Sequence, residues 1–161
     1  MERTLSVLVK NRPRVLARVA GLFARRGFNI DSLAVSTTED QSISRMTIAT
    51  MADPPTVAQI AKQVSKLHDV VAVIDHTERE IVERELCLIK IKVERAMRGE
   101  LISLCDVFRG DIVDIGNGSA VVQLIGDKDK IDAFVHLMQD YEIVEMVRSG
   151  RIVLDRGAQK E

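Results

Sequence analysis

The feature that most constrains this chain is its hydrophobic period. It switches between two and three-to-four along the sequence, and the whole pattern of switches occurs twice. Residues 4–9 (TLSVLV) alternate as a strand. Residues 14–26 carry a helical stripe of Val15, Leu16, Val19, Leu22 and Phe23, with Arg14, Arg18 and Arg25 on the opposite face. Pro13 suits the entry to that helix, and Gly27 suits the position just past its end. Residues 28–37 read as a second strand whose apolar parity slips between Ile30 and Leu33, which predicts a bulge. A turn at 39–42, a strand at 43–51, a helix opened by Asp53-Pro54-Pro55 and a strand at 70–75 complete the order βαββαβ.

The order then repeats about 80 residues on. Residues 86–93 are a strand, and 96–108 a helix with Met97, Leu101, Leu104 and Phe108 on one face. Strands at 111–115 and 119–125 make a hairpin about Gly116-Asn117-Gly118. Asp127 caps a helix that turns Ile131, Phe134, Val135 and Met138 inward. Strands at 142–147 and 151–154 close the set. The expected fold class is α+β, two ferredoxin-like βαββαβ domains in tandem: residues 1–76, a polar linker at 77–85, and residues 86–161.

Composition narrows the function. Lys+Arg is 23 against Asp+Glu 24 and aromatics are 3%, so a polyanion-binding or base-stacking protein is disfavoured. No nucleic-acid partner is expected. The N-terminus has no signal-peptide pattern, and no apolar run approaches the roughly 20 residues of a membrane span, so a soluble cytoplasmic chain with no membrane partner is expected. Cys87 and Cys105 lie among apolar residues without CxxC spacing and read as reduced core thiols. His68, His76 and His136 sit in no ligand-spaced motif, and surface or capping roles are expected for His68 and His76. The carboxylates of EREIVERE (78–85) alternate with arginine and read as a solvated, self-compensated face. No nucleophile, base or metal set emerges, so no catalytic residue, metal site or cofactor is assigned to this chain.

The informative segment is the first loop, Asn11-Arg12-Pro13, which leads into a helix N-terminus. Free N–H groups and the positive dipole end suit a carboxylate there. Asn11 supplies an amide that can both donate and accept. Asn29, polar within an apolar stretch, is either an edge position or a ligand contact.

TLSVLVKNRP, VLARVAGLFARRGFNIDSLAVSTTED, SRMTI, KQVSKLHDVVAV, VERELCLIKI, FRGDIVDI, GDKDKIDAF and the ending near RSGRIVLDRG together resemble one family: the acetolactate synthase (acetohydroxyacid synthase) small regulatory subunit. The likeness covers nearly the whole chain. It implies that residues 1–76 form an amino-acid-sensing ACT domain. It implies a separate catalytic large subunit holding thiamine diphosphate, magnesium and FAD, whose activity this chain raises and makes sensitive to valine or a related branched-chain amino acid. It also implies a homodimer of side-by-side ACT domains with effector at the seam. Carried onto this sequence, the effector residues are Asn11, Pro13, Arg14, Val15 and Leu16 from one copy and Asn29 and Ile30 from the other. The family pattern after Asn-x-Pro is usually glycine, and this chain has Arg14, which is expected to weaken valine feedback. The alternative is a stand-alone ACT-domain sensor that regulates another target.

Overall fold

The computed structural model describes residues 1–158. They pack as two units: Met1–Val82 joined by the C-terminal stretch from Arg151, and Glu83–Gly150.

In the first unit the elements are β1 (Glu2–Lys10), α1 (Val15–Arg25), β2 (Ser32–Thr37), β3 (Ile43–Met51), α2 (Pro54–Val64) and β4 (Val70–Asp75). The sheet order is β2-β3-β1-β4, all antiparallel, so the connections make two split βαβ units. Leu5, Val7, Val9, Met46 and Ile48 from the central strands meet Val15, Val19 and Phe23 of α1 and Val57, Ile60 and Val64 of α2. The alternation and the helical stripes of the sequence converge on this one apolar layer. Asp53 caps α2 by accepting from the Thr56 N–H at 3.0 Å. Gly27 has φ 72°, which a residue with a Cβ adopts at a cost.

The expected strand at 28–37 begins only at Ser32. From there its pairing with β3 runs unbroken from Ser32↔Ala49 to Thr37↔Ser44. The parity slip at Ile30–Leu33 therefore marks the start of the strand and not a bulge within it.

In the second unit β5 (Ile81–Lys92) leads through a short 3-10 turn at Arg95–Met97 into α3 (Arg98–Phe108). Then come β6 (Asp111–Gly116), β7 (Ser119–Gly126), α4 (Lys128–Met138) and β8 (Ile143–Arg148), in sheet order β6-β7-β5-β8. The core joins Cys87, Ile89 and Ile91 to Val122, Leu124, Leu101, Cys105, Ile131, Phe134 and Met138. Phe108 meets Phe134 edge-on with ring centroids 5.1 Å apart. Asp127 caps α4 by accepting from the Lys130 N–H at 2.9 Å. Gly118 turns the β6–β7 hairpin at φ 82°.

Two features depart from the sequence reading. Residues 77–85 were expected as a linker, yet β5 starts at Ile81. Glu85 is also buried, gripped by Arg148 through Nε at 2.7 Å and Nη2 at 3.0 Å, and is no part of a solvated face. The last strand, β9 (Ile152–Asp155), pairs with β5 and packs with the first unit. The C-terminal stretch is a strap on that unit. Arg151 forms a two-pronged pair with Glu2 of β1, both bonds 2.8 Å, and its N–H donates to Ser32 Oγ. Arg45 of β3 donates to the Val153 carbonyl at 2.9 Å. Asp155 accepts from His76 Nδ1 and Arg79, each at 2.7 Å.

His76 is thus a buried residue, 2% exposed, where a surface or capping role was expected. Its Nδ1 lies 2.7 Å from Asp155 Oδ1, and its Nε2 lies 2.7 Å from the Ser6 hydroxyl. Ser6 in turn accepts from Arg45 at 2.9 Å. Local pattern gave no sign of this network because one member lies 79 residues beyond His76.

Candidate functional site

The first loop leaves β1 at Lys10 and is pinned from two sides. The Asn11 N–H donates to the Ser42 carbonyl at 2.7 Å, and Asn11 Nδ2 donates to the Gln41 carbonyl at 3.1 Å. One of the two Nδ2 hydrogens is therefore engaged, and the exposed side chain keeps an acceptor, Oδ1, and a second amide N–H to offer a ligand. Asp69, a buried residue that sequence reading missed, holds the same loop. Its carbonyl accepts from the Lys10 N–H at 2.8 Å, and its carboxylate meets Arg18 at 3.2 Å and Arg12 at 3.6 Å.

Arg14 is the N-cap of α1 and lies in the left-handed region, φ 71°, ψ -6°. Its carbonyl accepts from the Arg18 N–H, while its side chain makes no capping bond. The first-turn N–H groups of α1 thus have no side-chain cap, and that turn contains no acidic residue. This is a donor set for a small carboxylate. Of its neighbours, Pro13 and Leu16 are exposed. The Val15 side chain belongs to the core, so only its backbone can face a ligand.

Asn29 and Ile30 lie in the connector before β2 and not inside a strand. The Asn29 carbonyl accepts from the Thr50 hydroxyl at 2.6 Å, and the Asp31 N–H donates to the Ala49 carbonyl at 2.8 Å. Asn29 Nδ2 donates to Asp31 Oδ1 at 2.8 Å, again leaving a free amide oxygen. Ile30 is partly buried against the core.

The two halves of the expected site stand at opposite ends of the sheet. Asn29 is fixed beside Thr50, which pairs with Arg3, whereas Asn11 follows Lys10. The length of β1 between Arg3 and Lys10, at about 3.3 Å per residue, is roughly 23 Å. One copy cannot bring Asn11 and Asn29 onto one small molecule.

A separate groove of about 190 Å³ is lined by Arg26, Phe28, Thr56, Gln59, Ile60 and Gln63, and includes none of the seven expected residues. Both cysteines are buried free thiols, and burial pushes the pKa of each above its ordinary value. Among the described residues no three His, Cys, Asp or Glu side chains are grouped to hold a metal ion, and no helix is long and apolar enough to cross a membrane.

Two family models divide the chain between them. Residues 5–72 match the small-subunit-like ACT domain of acetohydroxyacid synthase, and residues 84–157 match the small subunit of acetolactate synthase. The probable acetolactate synthase small subunit of Archaeoglobus fulgidus is 48% identical over 160 residues, covering 99% of this chain and 100% of the relative. This chain belongs to the acetolactate synthase small-subunit family. The Haemophilus influenzae acetolactate synthase small subunit is 46% identical over 98% of this chain and 97% of its own length. The crystal structure of the small subunit from Thermotoga maritima superposes with a TM-score of 0.90 at 37% identity, covering 99% of both chains. The two ferredoxin-like halves, with the ACT domain first, are therefore the family's architecture.

Proposed function

We propose that this chain is a non-catalytic regulatory subunit in the cytoplasm. It raises the activity of a catalytic acetolactate synthase subunit and conveys feedback by a branched-chain amino acid, with valine as the first candidate. Thiamine diphosphate, magnesium and FAD belong to the catalytic partner in this reading. The effector sits at a seam between two copies, joined side by side along β2, an outer strand of the sheet order. At that seam the uncapped N–H groups behind Pro13 and Arg14, together with those of Val15 and Leu16, take the effector carboxylate. The free amide oxygens of Asn11 and of the second copy's connector at Asn29 take its ammonium, with Ile30 beside them. The observation that carries the seam is the placement of Asn11 and Asn29 at opposite ends of one sheet. Pairing two copies supplies the missing half at each end.

The test is reconstitution. A catalytic subunit is assayed for acetolactate formation with and without this chain, then titrated with valine, leucine and isoleucine. Increased turnover and a saturable fall with at least one of the three support the reading. Unchanged turnover refutes the activating role, and increased turnover insensitive to all three refutes the sensing role.

A further inference from the structure

We propose that the groove between the end of α1 and α2 is a second small-molecule site, one that takes a short-chain organic anion such as a 2-oxo acid. The inference does not depend on the regulatory reading above. The deciding residue is Arg3 of β1. By strand alternation it shares the helix-facing side of the sheet with Leu5, Val7 and Val9, and it is 6% exposed. Among the described residues its side chain forms no hydrogen bond and no ion pair. Nε is enclosed without a partner, while the Nη atoms are not enclosed. A buried guanidinium without a counter-charge is costly, and a folded chain that keeps one calls for an anion from outside.

Chain topology brings Arg3 to the end of the sheet where the groove lies. Arg3 pairs with Thr50 of β3, and the Thr50 hydroxyl donates to the carbonyl of Asn29, the residue after Phe28. From Thr50 the chain runs within four residues to the start of α2 at Pro54. Phe28 and α2 are walls of the groove of about 190 Å³. Arg26, on the same wall as Phe28, is a second exposed cation with no ion pair among the described residues. Its place at the end of α1 suits the helix dipole, but no such account covers Arg3. Asp31 accepts from Asn29 and Asp53 from the Thr56 N–H, and neither pairs with an arginine. The lining adds apolar contact from Phe28 and Ile60 and neutral polar groups from Thr56, Gln59 and Gln63, with no acidic side chain. Guanidinium groups recognise a carboxylate, and hydroxyl and amide donors suit a keto oxygen. An ammonium would meet cations and no carboxylate, so an amino acid fits poorly. The volume suffices, since a cavity of roughly 150 Å³ holds a six-carbon ring. α2 joins β3 to β4 and so crosses above β1, inward of β2. A second copy paired along β2 therefore approaches from the side away from this wall.

The experiment is calorimetry on the full-length chain alone, at constant ionic strength, with 2-oxopentanoate, norvaline and inorganic phosphate as probes. Saturable binding of 2-oxopentanoate is expected. Arg26→Gln and Arg3→Met should each weaken it roughly tenfold or more, the loss of a charge-assisted contact. Arg25→Gln removes an exposed charge outside the groove and should stay within about twofold of the parent. Without ligand, Arg3→Met should melt at or above the parent, because it removes a buried charge that has no partner. An arginine paired within the fold would instead lower the melting temperature when replaced. No saturable binding by the parent, an equal loss in Arg25→Gln, or an Arg3→Met chain that melts well below the parent overturns the site. Phosphate or norvaline bound as tightly as the 2-oxo acid, with the same loss in Arg26→Gln, overturns the ligand class. The activity of a reconstituted enzyme enters none of these readouts, so the regulatory reading stands or falls separately.

Discussion

Replacing Arg14 with glycine should stabilise the N-terminal unit while sharpening the effector response, and the two effects have separable causes. Arg14 sits at φ 71° with no capping bond from its side chain. An L-residue in the left-handed region costs roughly 1–2 kcal/mol. Glycine relieves that strain, and its greater freedom in the unfolded chain takes back about 0.5–1 kcal/mol. The net gain is about 0.5–1 kcal/mol, or a rise of about 2–3 °C in melting temperature for a chain of this size. Arg14→Ala separates the causes. It removes the long side chain but keeps a Cβ in the strained conformation, so it should leave stability close to the parent. If the guanidinium crowds the proposed effector site, glycine and alanine should both strengthen valine inhibition in the reconstituted enzyme. If backbone approach is what matters, only glycine should. Urea and thermal unfolding read the first effect, and inhibition curves read the second. A glycine variant no more stable than the parent would refute the strain argument, and undiminished inhibition of the parent relative to both variants would show that Arg14 is accommodated.

Asn11→Ala or Asn29→Ala should weaken effector binding by about 1–3 kcal/mol, the cost of leaving a buried polar group without its partner; calorimetry that finds unchanged affinity for Asn29→Ala sinks the proposed seam. Asp155→Ala should lower stability by about 1–3 kcal/mol in thermal melts, because it leaves buried His76 without its Nδ1 acceptor. Burial alone would raise the Asp155 carboxyl, yet its bonds to Arg79 and His76 hold it below the ordinary range. Its contribution is therefore present at neutral pH and lost as acid titrates it through that depressed value, below about pH 4, and Asp155→Ala should flatten the acid limb of the stability curve. Tyr141, the only tyrosine in a chain without tryptophan, is pushed up to about 12 by burial first and the Glu100 carboxylate second. Its stabilising effect holds below about pH 10 and fades as pH rises toward 12. Absorbance at the tyrosinate band should accordingly stay flat through about pH 10 in the folded chain, and ordinary titration there would contradict the buried placement.

What the sequence made legible was whatever depends on near neighbours. The stripe Val15–Val19–Phe23, the Asp53 and Asp127 caps and the Gly116–Gly118 hairpin are set by residues three or four positions apart, and the structure has them where the periodicity puts them. What stayed hidden depends on partners far along the chain. His76 looks like a polar residue after a strand until Asp155 and Ser6 are beside it. Glu85 belongs to a charged run until Arg148 reaches it. The connector at 28–31 was read as strand because its apolar residues pack on the core without joining the ladder. For the candidate site, residue identities were legible, but hydrogen bonding was not. Only the structure reveals that the Asn11 and Asn29 amides each spend one N–H on a neighbour in their own copy.

The strap changes how the N-terminal unit can be isolated and used. Residues 1–76 contain the ACT sheet but not Arg151, Val153 or Asp155, which bind Glu2, Arg45 and His76. A chain cut at 76 leaves a guanidinium, an imidazole and a carboxylate without the partners that offset their burial. The unit is closed only when the chain has passed through Glu83–Gly150 and returned. The second unit is therefore an insertion, joined to the first by two covalent crossings. The strap residues Arg151 and Val153 are held by Glu2 of β1, Ser32 of β2 and Arg45 of β3, so the strap spans the strands that follow the connector and precede the first loop.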